Sequence, residues 1–271
     1  MGTRLKNMLI SKTLSLFKTS GSRKSESGND CAYEHPNYSG KDLNDWINAG
    51  IKGYKQWYQP VDFGDGIKAH VTIPPDWEPT PELDEHSGIS RWEYIVKRNI
   101  PDVTGMRVLD VGCNVGVYSL ELSKLGAKEV IGVDRDFDIP QKPDFLPRQN
   151  IVSQAEFVRD AIALKSNISF NIVYKPINFS DYKSYINLGK FDLIMALNVA
   201  YHELEGMEEM LRTLGSMTNT LILQTALSHG SPIKEWASLP KHVEILTKIG
   251  FTSIEIDAPV GYEQPMIVAQ K

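Results

Sequence analysis

The chain has 271 residues, and its 29 lysine and arginine residues against 34 aspartate and glutamate residues give a formal net charge of -5 at pH 7. This length allows one generous domain, or an ordinary domain with a smaller appended one. With this net negative charge the chain has no overall positive field that would attract a polyanion, and a nucleic-acid partner is therefore disfavoured. The cysteines, Cys31 and Cys113, predict a reducing, cytoplasmic setting without a disulfide framework or a zinc site.

The N-terminal part of the chain carries no apolar run long enough to span a membrane and no secretory signal. Residues 5–17 allow a short amphipathic helix, which we interpret as a loosely docked leader rather than a membrane anchor or an active-site lid. Residues 19–30 are rich in serine, glycine and charge and predict a flexible linker. We therefore expect residues 1–37 to form a flexible leader.

Residues 38–100 are predicted to form an N-terminal cap that contributes to the substrate site. A helix is expected over residues 39–51, with Ser39 or Asp42 as its N-cap, and another over residues 89–100. Between these helices, glycine and proline interrupt an aromatic-rich stretch, for which no regular structure is predicted.

Residues 101–271 alternate between β-branched apolar runs and amphipathic segments. The predicted strands cover residues 106–112, 129–134, 170–177, 191–198, 219–226, 252–258 and 265–271, and the predicted helices cover residues 115–127, 155–166, 206–217 and 240–250. Such alternation predicts a Rossmann-like α/β fold with helices on both faces of a seven-stranded, mostly parallel sheet. Because no helix separates the last two strands, one C-terminal strand should be antiparallel.

The turn after the first of these strands reads LDVGCNVGVYS and holds Gly112 and Gly116 where the strand passes into a helix. A dinucleotide-binding turn that starts at Gly112 needs glycine at two further positions, which here are asparagine and valine. Instead, Asp110 lies at the end of the strand and Asp134 closes the next one. Ligands of open α/β sheets bind at the carboxyl ends of strands, so the pattern predicts a site for another nucleotide-like cofactor.

This arrangement resembles the nucleotide-binding turn of class I S-adenosylmethionine-dependent methyltransferases, and the resemblance extends over residues 101–271. It implies S-adenosyl-L-methionine as the cofactor, with Asp110 organising its methionine end and Asp134 accepting hydrogen bonds from both ribose hydroxyls. The two glycines would let the backbone approach this cofactor, which has no phosphates to be held by helix amides. The family has a further glycine where this chain has Asn114, so we expect Asn114 to adopt a positive φ.

The same resemblance implies a role for the ends of two later strands. Asn178 and Phe179 follow the third strand and would face the adenine, whereas the loop after the fourth strand would open over the sulfonium and the substrate. In that loop Asn198 is expected to bind the cofactor, and Tyr201 and His202 are expected to lie close to the chemistry. A hydroxyl or protonated amine acceptor makes a general base useful, and histidine, which titrates at about pH 6.5, suits that role. His202 is therefore either the base or a structural histidine of this loop.

Other aromatic and polar side chains have either packing or site roles. Trp57 is interpreted as a packing residue, whereas Tyr58 and Gln59 are assigned to the acceptor site. Tyr58 is also predicted, together with Tyr201 and His202, to be a catalytic residue. Cys113 is interpreted as a small apolar residue of the core. The histidines show no metal-binding spacing, and no metal is expected.

Three segments, ALNVAYHE, LILQTALSHG and QWYQPVDFGDGI, are similar to the branch of the family that contains the bacterial tRNA wobble-uridine carboxymethyltransferase. That enzyme has a different, Trp- and Lys-rich pattern in place of QWYQPVDFGDG, so ordinary methyl transfer is favoured here. The sequence thus predicts methyl transfer to an oxygen or nitrogen of a small molecule or sugar, as in glycan or natural-product modification. The alternatives are a tRNA-modifying (carboxy)methyltransferase and a non-catalytic binding module with the same fold.

Overall fold

A central sheet flanked by helices is the main feature of the computed structural model, which describes residues 37–40, 42–54, 57–72, 91–135, 151–200, 206–225, 238–258 and 264–271. All of these residues fall within the unit Tyr33–Lys271. The strands are β1 (Val61–Asp62), β2 (Lys68–Ala69), β3 (Arg107–Val111), β4 (Glu129–Asp134), β5 (Ile172–Pro176), β6 (Leu193–Leu197), β7 (Thr220–Gln224), β8 (Ser253–Asp257) and β9 (Met266–Gln270). The helices are α1 (Leu43–Gly53), α2 (Val117–Lys124), α3 (Ile151–Ser166), α4 (Tyr182–Asn187), α5 (Met207–Met217) and α6 (Leu239–Lys248). The expected amphipathic helix and linker of the leader lie outside the described residues.

The predicted α/β fold is confirmed by the order of the seven strands, which is β5-β4-β3-β6-β7-β9-β8. The pairs from β5 to β7 are parallel, and β9 runs antiparallel to both of its neighbours, β7 and β8. Because β3 pairs with β4 on one side and with β6 on the other, the order in which successive strands are added to the sheet reverses beside β3. This switch point is where open α/β sheets bind their ligands.

Local sequence explains where the first helix begins. The Asp42 carboxylate accepts a hydrogen bond from the backbone N–H of Asp45 at 3.0 Å, which makes Asp42 the N-cap of α1. The prediction of this cap is confirmed, although α1 starts at Leu43 and continues to Gly53.

The described part of the second predicted helix, residues 89–100, is irregular. It contains a π-helical turn, Trp92–Val96, followed by a 3₁₀ turn, Lys97–Asn99. The Asn99 side chain donates hydrogen bonds to the Ile95 carbonyl and to the Asp257 carboxylate, both at 2.7 Å. These contacts tie the irregular segment to the end of β8.

Two further elements were not predicted. The aromatic-rich stretch contains the short antiparallel pair β1–β2, whose turn is closed by Gly64 N–H donating to the Asp62 carboxylate at 2.8 Å. Helix α4 is capped by Asp181, which accepts hydrogen bonds from the backbone N–H and the hydroxyl of Ser184. Both elements depend on short polar contacts at turns rather than on apolar periodicity.

Alternating side chains of the sheet divide the core between its two faces. Val108 packs in one apolar cluster and Leu109 in the other, as period-two strand geometry requires. The Val108 cluster also contains the buried apolar residues of the segment before β3, including Ile47 and Trp92. Trp92 stacks on Tyr118 of α2 with ring centroids 5.8 Å apart. The N-terminal segment is therefore packed against the helices on one face of the sheet.

Among the described residues, no helix combines the length and the apolar character that a bilayer crossing requires.

Candidate cofactor and acceptor site

The turn between β3 and α2 has three residues in the left-handed region, Gly112 (φ +73°), Asn114 (φ +51°) and Gly116 (φ +81°). The positive φ expected for Asn114 is confirmed. Its side-chain oxygen accepts a hydrogen bond from the backbone N–H of Val115 at 2.8 Å, and such local bonding is what allows asparagine to adopt this conformation. The backbone N–H of Gly112 donates to the Val133 carbonyl at 2.8 Å, which holds the turn against β4.

Asp134 closes β4 beside this turn and is 1 % exposed. One carboxylate oxygen accepts from the Asn114 N–H at 2.9 Å and the other from the Arg135 N–H at 2.8 Å. The Asp134 backbone carbonyl accepts from the Ile177 N–H at 2.9 Å. Asp134 therefore ties together the cofactor turn, the end of β4 and the segment after β5.

Asp110, near the end of β3, is also buried. Its carboxylate accepts a hydrogen bond from the hydroxyl of Ser119 at 2.6 Å, and Ser119 on α2 is fully buried. Burial raises the pKa of Asp110 to about 6; the Ser119 hydrogen bond opposes this shift, and the nearby charge of Asp134 adds to it. Ser119 was not among the predicted site residues, although its place in the first turn of the helix that follows Asp110 was a usable signal.

The raised pKa of Asp110 predicts a pH dependence of folding stability in the absence of cofactor. Between about pH 4 and pH 6 the unfolded chain has released the Asp110 proton while the folded chain retains it, so stability falls as pH rises through this window. Asp110→Asn removes this cost. In urea unfolding at a series of pH values, the free energy of unfolding of the variant should therefore rise relative to that of the wild type by on the order of 3 kcal/mol from pH 4 to pH 7.

Asp181→Asn provides a control of opposite sign. Hydrogen bonds from the Ser184 side chain and backbone lower the pKa of Asp181, so this carboxylate stabilises the fold above its ordinary pKa and loses that effect as pH falls. The free energy of unfolding of the wild type should therefore rise relative to that of Asp181→Asn as pH rises. If both variants gave the same sign, the proposed burial of an ionisable Asp110 would be contradicted.

The two glycines of the turn face side chains of the protein itself. A Cβ on Gly112 would overlap Val199, which follows β6, and a Cβ on Gly116 would overlap the hydroxyl of Tyr174 on β5. Tyr174 is buried, its hydroxyl donates to the Gly116 carbonyl at 3.4 Å, and burial raises the pKa of that hydroxyl. Glycine is therefore required by internal packing as well as by backbone conformation.

Gly116→Ala should destabilise the fold more than Gly64→Ala. The two glycines have nearly the same φ, +81° and +83°, but nothing lies within 4 Å of the Cβ position at Gly64. The left-handed strain of about 1–2 kcal/mol is common to both variants, whereas overpacking against Tyr174 adds about 1–3 kcal/mol only at Gly116. Chemical denaturation measures the difference, and Tyr174→Phe should recover part of it; equal losses in the two alanine variants would contradict the clash.

The end of β6 lies on the other side of the turn. Asn198 has φ +57°, its N–H donates to the Gln224 carbonyl at 3.2 Å, and its side-chain nitrogen donates to Gln264 Oε1 at 3.1 Å. Its Oδ1 is buried and has no hydrogen-bond partner among the described residues. A buried acceptor of this kind is suited to a donor on a bound ligand.

A group of polar side chains that the sequence did not predict lies beyond Asn198. Arg91 donates from Nη2 to the side-chain oxygens of Gln224 and Gln264, the latter at 2.7 Å. Gln224 ends β7, and its amide nitrogen donates to the Gln264 backbone carbonyl at 2.8 Å. The glutamine at the end of an otherwise apolar buried strand was the one signal in the sequence for this group.

The segment after β5 lies against Asp134, whose backbone carbonyl accepts the Ile177 N–H. Phe179 is buried, and the Arg135 guanidinium lies 6.0 Å from the centre of its ring. Asn178 is exposed to solvent. The assignment of both residues to the adenine side stays a prediction.

The remaining candidates are divided between described and undescribed parts of the chain. Trp57 is buried among aromatic rings, and its indole N–H donates to the Ile51 carbonyl at 3.2 Å, so it acts in packing. Tyr58 is partly exposed, and Gln59 is buried with its Oε1 lacking a hydrogen-bond partner among the described residues. Tyr201 and His202 lie outside the described residues.

Cys113, within the turn, is a buried free thiol. Burial raises its pKa well above the ordinary value, so the thiol stays protonated and unreactive, in agreement with a packing role. Within the described ranges, no three His, Cys, Asp or Glu side chains are grouped closely enough to hold a metal ion.

These residues fit S-adenosylmethionine. Its ribose hydroxyls and ammonium group are hydrogen-bond donors, and the site offers acceptors in the buried carboxylates of Asp110 and Asp134 and in the unpartnered Oδ1 of Asn198. All three lie at the carboxyl ends of neighbouring strands beside the switch point. The fold and this site define a class I S-adenosylmethionine-dependent methyltransferase.

Comparison with known proteins leads to the same class. The model of a methyltransferase domain family matches residues 85–253, more than half of the chain, and the chain therefore belongs to that family. Its cofactor is S-adenosylmethionine.

Two curated relatives are similar over part of the chain. The tRNA U34 carboxymethyltransferase of Campylobacter hominis is 34% identical over 117 residues, which cover 42% of this chain and 34% of that protein. The ribosomal protein L11 methyltransferase of Agathobacter rectalis is 34% identical over 112 residues, which cover 35% of this chain and 32% of that protein. The chain thus spans about a third of the length of these relatives.

Among solved structures, the N-terminal domain of EvdMO1, crystallised in the presence of S-adenosylhomocysteine and D-fucose, has a similar fold. Its TM-score is 0.56 with 16% sequence identity, and the match covers 84% of this chain and 95% of that domain. At this level of identity the match supports the fold.

Proposed function

We propose that this chain transfers the methyl group of S-adenosylmethionine to an oxygen or nitrogen of a small molecule or sugar. The observation that carries this proposal is the pair of buried acids, Asp110 and Asp134, on either side of the turn, next to the polar end of β6 at Asn198. The acids are assigned to the cofactor, and the polar groups beside Asn198 are assigned to hydrogen bonds with an acceptor.

When bound, S-adenosylmethionine supplies a methyl group on a positively charged sulfur. Asp110, Asp134 and Asn198 would hold this cofactor, which would supply its methyl group to a lone pair of the acceptor oxygen or nitrogen and would keep the electron pair of the broken C–S bond on sulfur. The acceptor then loses its proton to a base, for which His202 is proposed on the sequence alone. The chain contributes chiefly by holding the reactants in line and excluding water.

The segment 38–100 is proposed as the cap of the acceptor site, and residues 101–271 as the methyltransferase domain. Gln59 supports this division because its buried Oε1 is an acceptor without a partner among the described residues, in a segment that packs on the domain. Tyr58 is proposed to line the acceptor side of the same segment.

A tRNA-modifying activity is the second candidate, since a tRNA U34 carboxymethyltransferase is 34% identical over part of the chain. Binding of tRNA would need phosphate contacts from lysine and arginine and would weaken steeply with salt. The net charge of -5 works against such contacts, and we therefore place this function second.

The proposal is tested by following both binding and turnover. Calorimetry should show binding of S-adenosylhomocysteine, and methyl-labelled S-adenosylmethionine should transfer label to a member of a panel of hydroxyl- and amine-bearing sugars and small molecules. Label in bulk tRNA, together with salt-sensitive tRNA binding, would instead establish the second candidate. Cofactor binding without transfer to any acceptor would indicate a non-catalytic binding module, and absence of cofactor binding would contradict the proposal.

A further inference from the structure

Arg91 is a buried cation whose described partners are all uncharged. It is 9 % exposed, and its Nη2 donates to the amide oxygens of Gln224 and Gln264. Its Nε is buried without a hydrogen-bond partner, and none of the described residues places a carboxylate in an ion pair with it. Burying an arginine without an opposite charge is costly, so the arrangement requires an explanation outside simple packing.

The partners of Arg91 are held in one orientation. The Gln224 side-chain nitrogen donates to the Gln264 backbone at 2.8 Å, and the Asn198 side-chain nitrogen donates to Gln264 Oε1 at 3.1 Å. These bonds fix the two amide oxygens toward the guanidinium. Since an arginine has five N–H donors in a rigid planar fork, its Nε–H remains aligned for an acceptor that the described residues do not supply.

The position of the guanidinium is on the acceptor side of the cofactor turn. Gln224 ends β7 and Asn198 follows β6, whereas the turn follows β3. The strands lie in the order β3-β6-β7, so the end of β7 is displaced by two strand spacings, about 10 Å, from the end of β3. Val199 packs against Gly112 and connects the two regions. A group held by Arg91 would thus lie beside the cofactor turn rather than in it.

We propose that Arg91 binds a carboxylate of the methyl acceptor, which makes the substrate an acidic small molecule or sugar acid. This inference rests on the proposed methyl transfer and names the class of its acceptor. Both Nη2 hydrogens are donated to the two glutamine oxygens, so the carboxylate accepts a hydrogen bond from the Nε–H, and it neutralises the buried charge. Asn198 Oδ1 lies about one strand spacing closer to the turn than Arg91 does, and it accepts a hydrogen bond from a hydroxyl or amine of the bound acceptor or cofactor.

Acetate is the probe for this site, and the S-adenosylhomocysteine complex is the protein tested. At equal ionic strength, sodium acetate should raise the Tm of the wild-type complex by about 2 °C or more relative to sodium chloride, and acetamide should not. Arg91→Gln should abolish the difference, and Arg91→Lys should retain part of it. Arg212→Gln, which removes an exposed arginine paired with Glu208 on α5, is the matched control and should behave as the wild type.

Gln224→Glu keeps the side-chain shape and places a carboxylate against Arg91. The new carboxylate should form an ion pair with Arg91 and abolish the effect of acetate. This variant therefore tests the inference even if Arg91→Gln misfolds. The affinity of S-adenosylhomocysteine, measured by calorimetry, should change less than three-fold in both variants.

Three outcomes would overturn the inference. These are a wild-type complex with no preference for acetate, a preference that survives Arg91→Gln, and a loss of S-adenosylhomocysteine affinity of ten-fold or more in Arg91→Gln. The last would mean that Arg91 holds the carboxylate of the cofactor's own amino-acid portion. Failure of the wild type to bind S-adenosylhomocysteine would be a failure of the proposed function, and it is observed before acetate is added.

Discussion

Asp134→Asn is expected to weaken the binding of S-adenosylhomocysteine by about 100-fold in calorimetry. Its carboxylate accepts the N–H groups of Asn114 and Arg135, and the same carboxylate is proposed to accept the ribose hydroxyls. An amide at this position keeps one acceptor oxygen and turns the other into a donor that faces a backbone N–H. Hydrogen bonds to charged groups contribute about 1.5–3 kcal/mol each, and a net loss of one to two of them corresponds to this factor.

Asp192→Asn is the matched control for this experiment. Asp192 also accepts a backbone N–H, that of Arg107 at 2.8 Å, but it lies at the amino ends of β3 and β6, on the edge opposite the site. Its substitution should leave the affinity for S-adenosylhomocysteine within about two-fold. Equal losses in the two variants would show a general effect on stability, and an unchanged affinity in Asp134→Asn would remove Asp134 from the cofactor site.

Most of the sheet could be predicted from the sequence because its strands are short apolar runs with clear ends. The predicted strand 129–134 coincides with β4, where a β-branched run stops at an acid. The cofactor turn was predictable for a related reason, since glycine and asparagine at a strand–helix junction indicate left-handed backbone, and both Gly112 and Asn114 adopt it.

The missed parts of the site depend on contacts between distant residues. Arg91 and Gln224 are separated by 133 residues, and no local pattern indicates that an arginine at the start of an irregular helical segment reaches the end of β7. Tyr174 lies within a predicted strand, but its contact with Gly116 spans 58 residues and requires the register of β4 and β5. Periodicity predicts elements and the faces they bury, whereas these contacts require the assembled sheet.

The two buried acids also differ in a way that the sequence does not show. Both lie at the carboxyl ends of neighbouring strands, yet the Asp110 carboxylate accepts from the Ser119 hydroxyl, whereas the Asp134 carboxylate accepts from the backbone N–H groups of Asn114 and Arg135. Asp134 is thus the acid that stabilises the conformation of the turn, whereas Asp110 connects β3 to the start of α2. A ligand that donates a hydrogen bond to Asp110 would favour its ionised form and lower its pKa, so cofactor binding should reduce the pH dependence described above.

Phe157→Ala is expected to cost about 3–5 kcal/mol of folding stability, measured by urea unfolding. Phe157, on α3, is 4 % exposed, and its ring centre lies 5.2 Å from that of Trp46, 5.6 Å from Tyr54 and 5.8 Å from Phe63. All three partners belong to the segment before β3. Removing the ring leaves a cavity where that segment meets the domain, and the rigid indole and phenol rings around it have little freedom to fill the space.

Ile186→Ala is the control, because Ile186 on α4 is 57 % exposed and its truncation should change stability by about 0.5 kcal/mol or less. A loss below about 1 kcal/mol in Phe157→Ala would mean that the aromatic cluster does not hold the segment in place. The expected loss has a further consequence for the site. Arg91 and Gln59 belong to the same N-terminal segment, so a segment loosened at Phe157 should weaken the acetate response while the cofactor turn, which is built from β3, α2 and β4, keeps its affinity for S-adenosylhomocysteine.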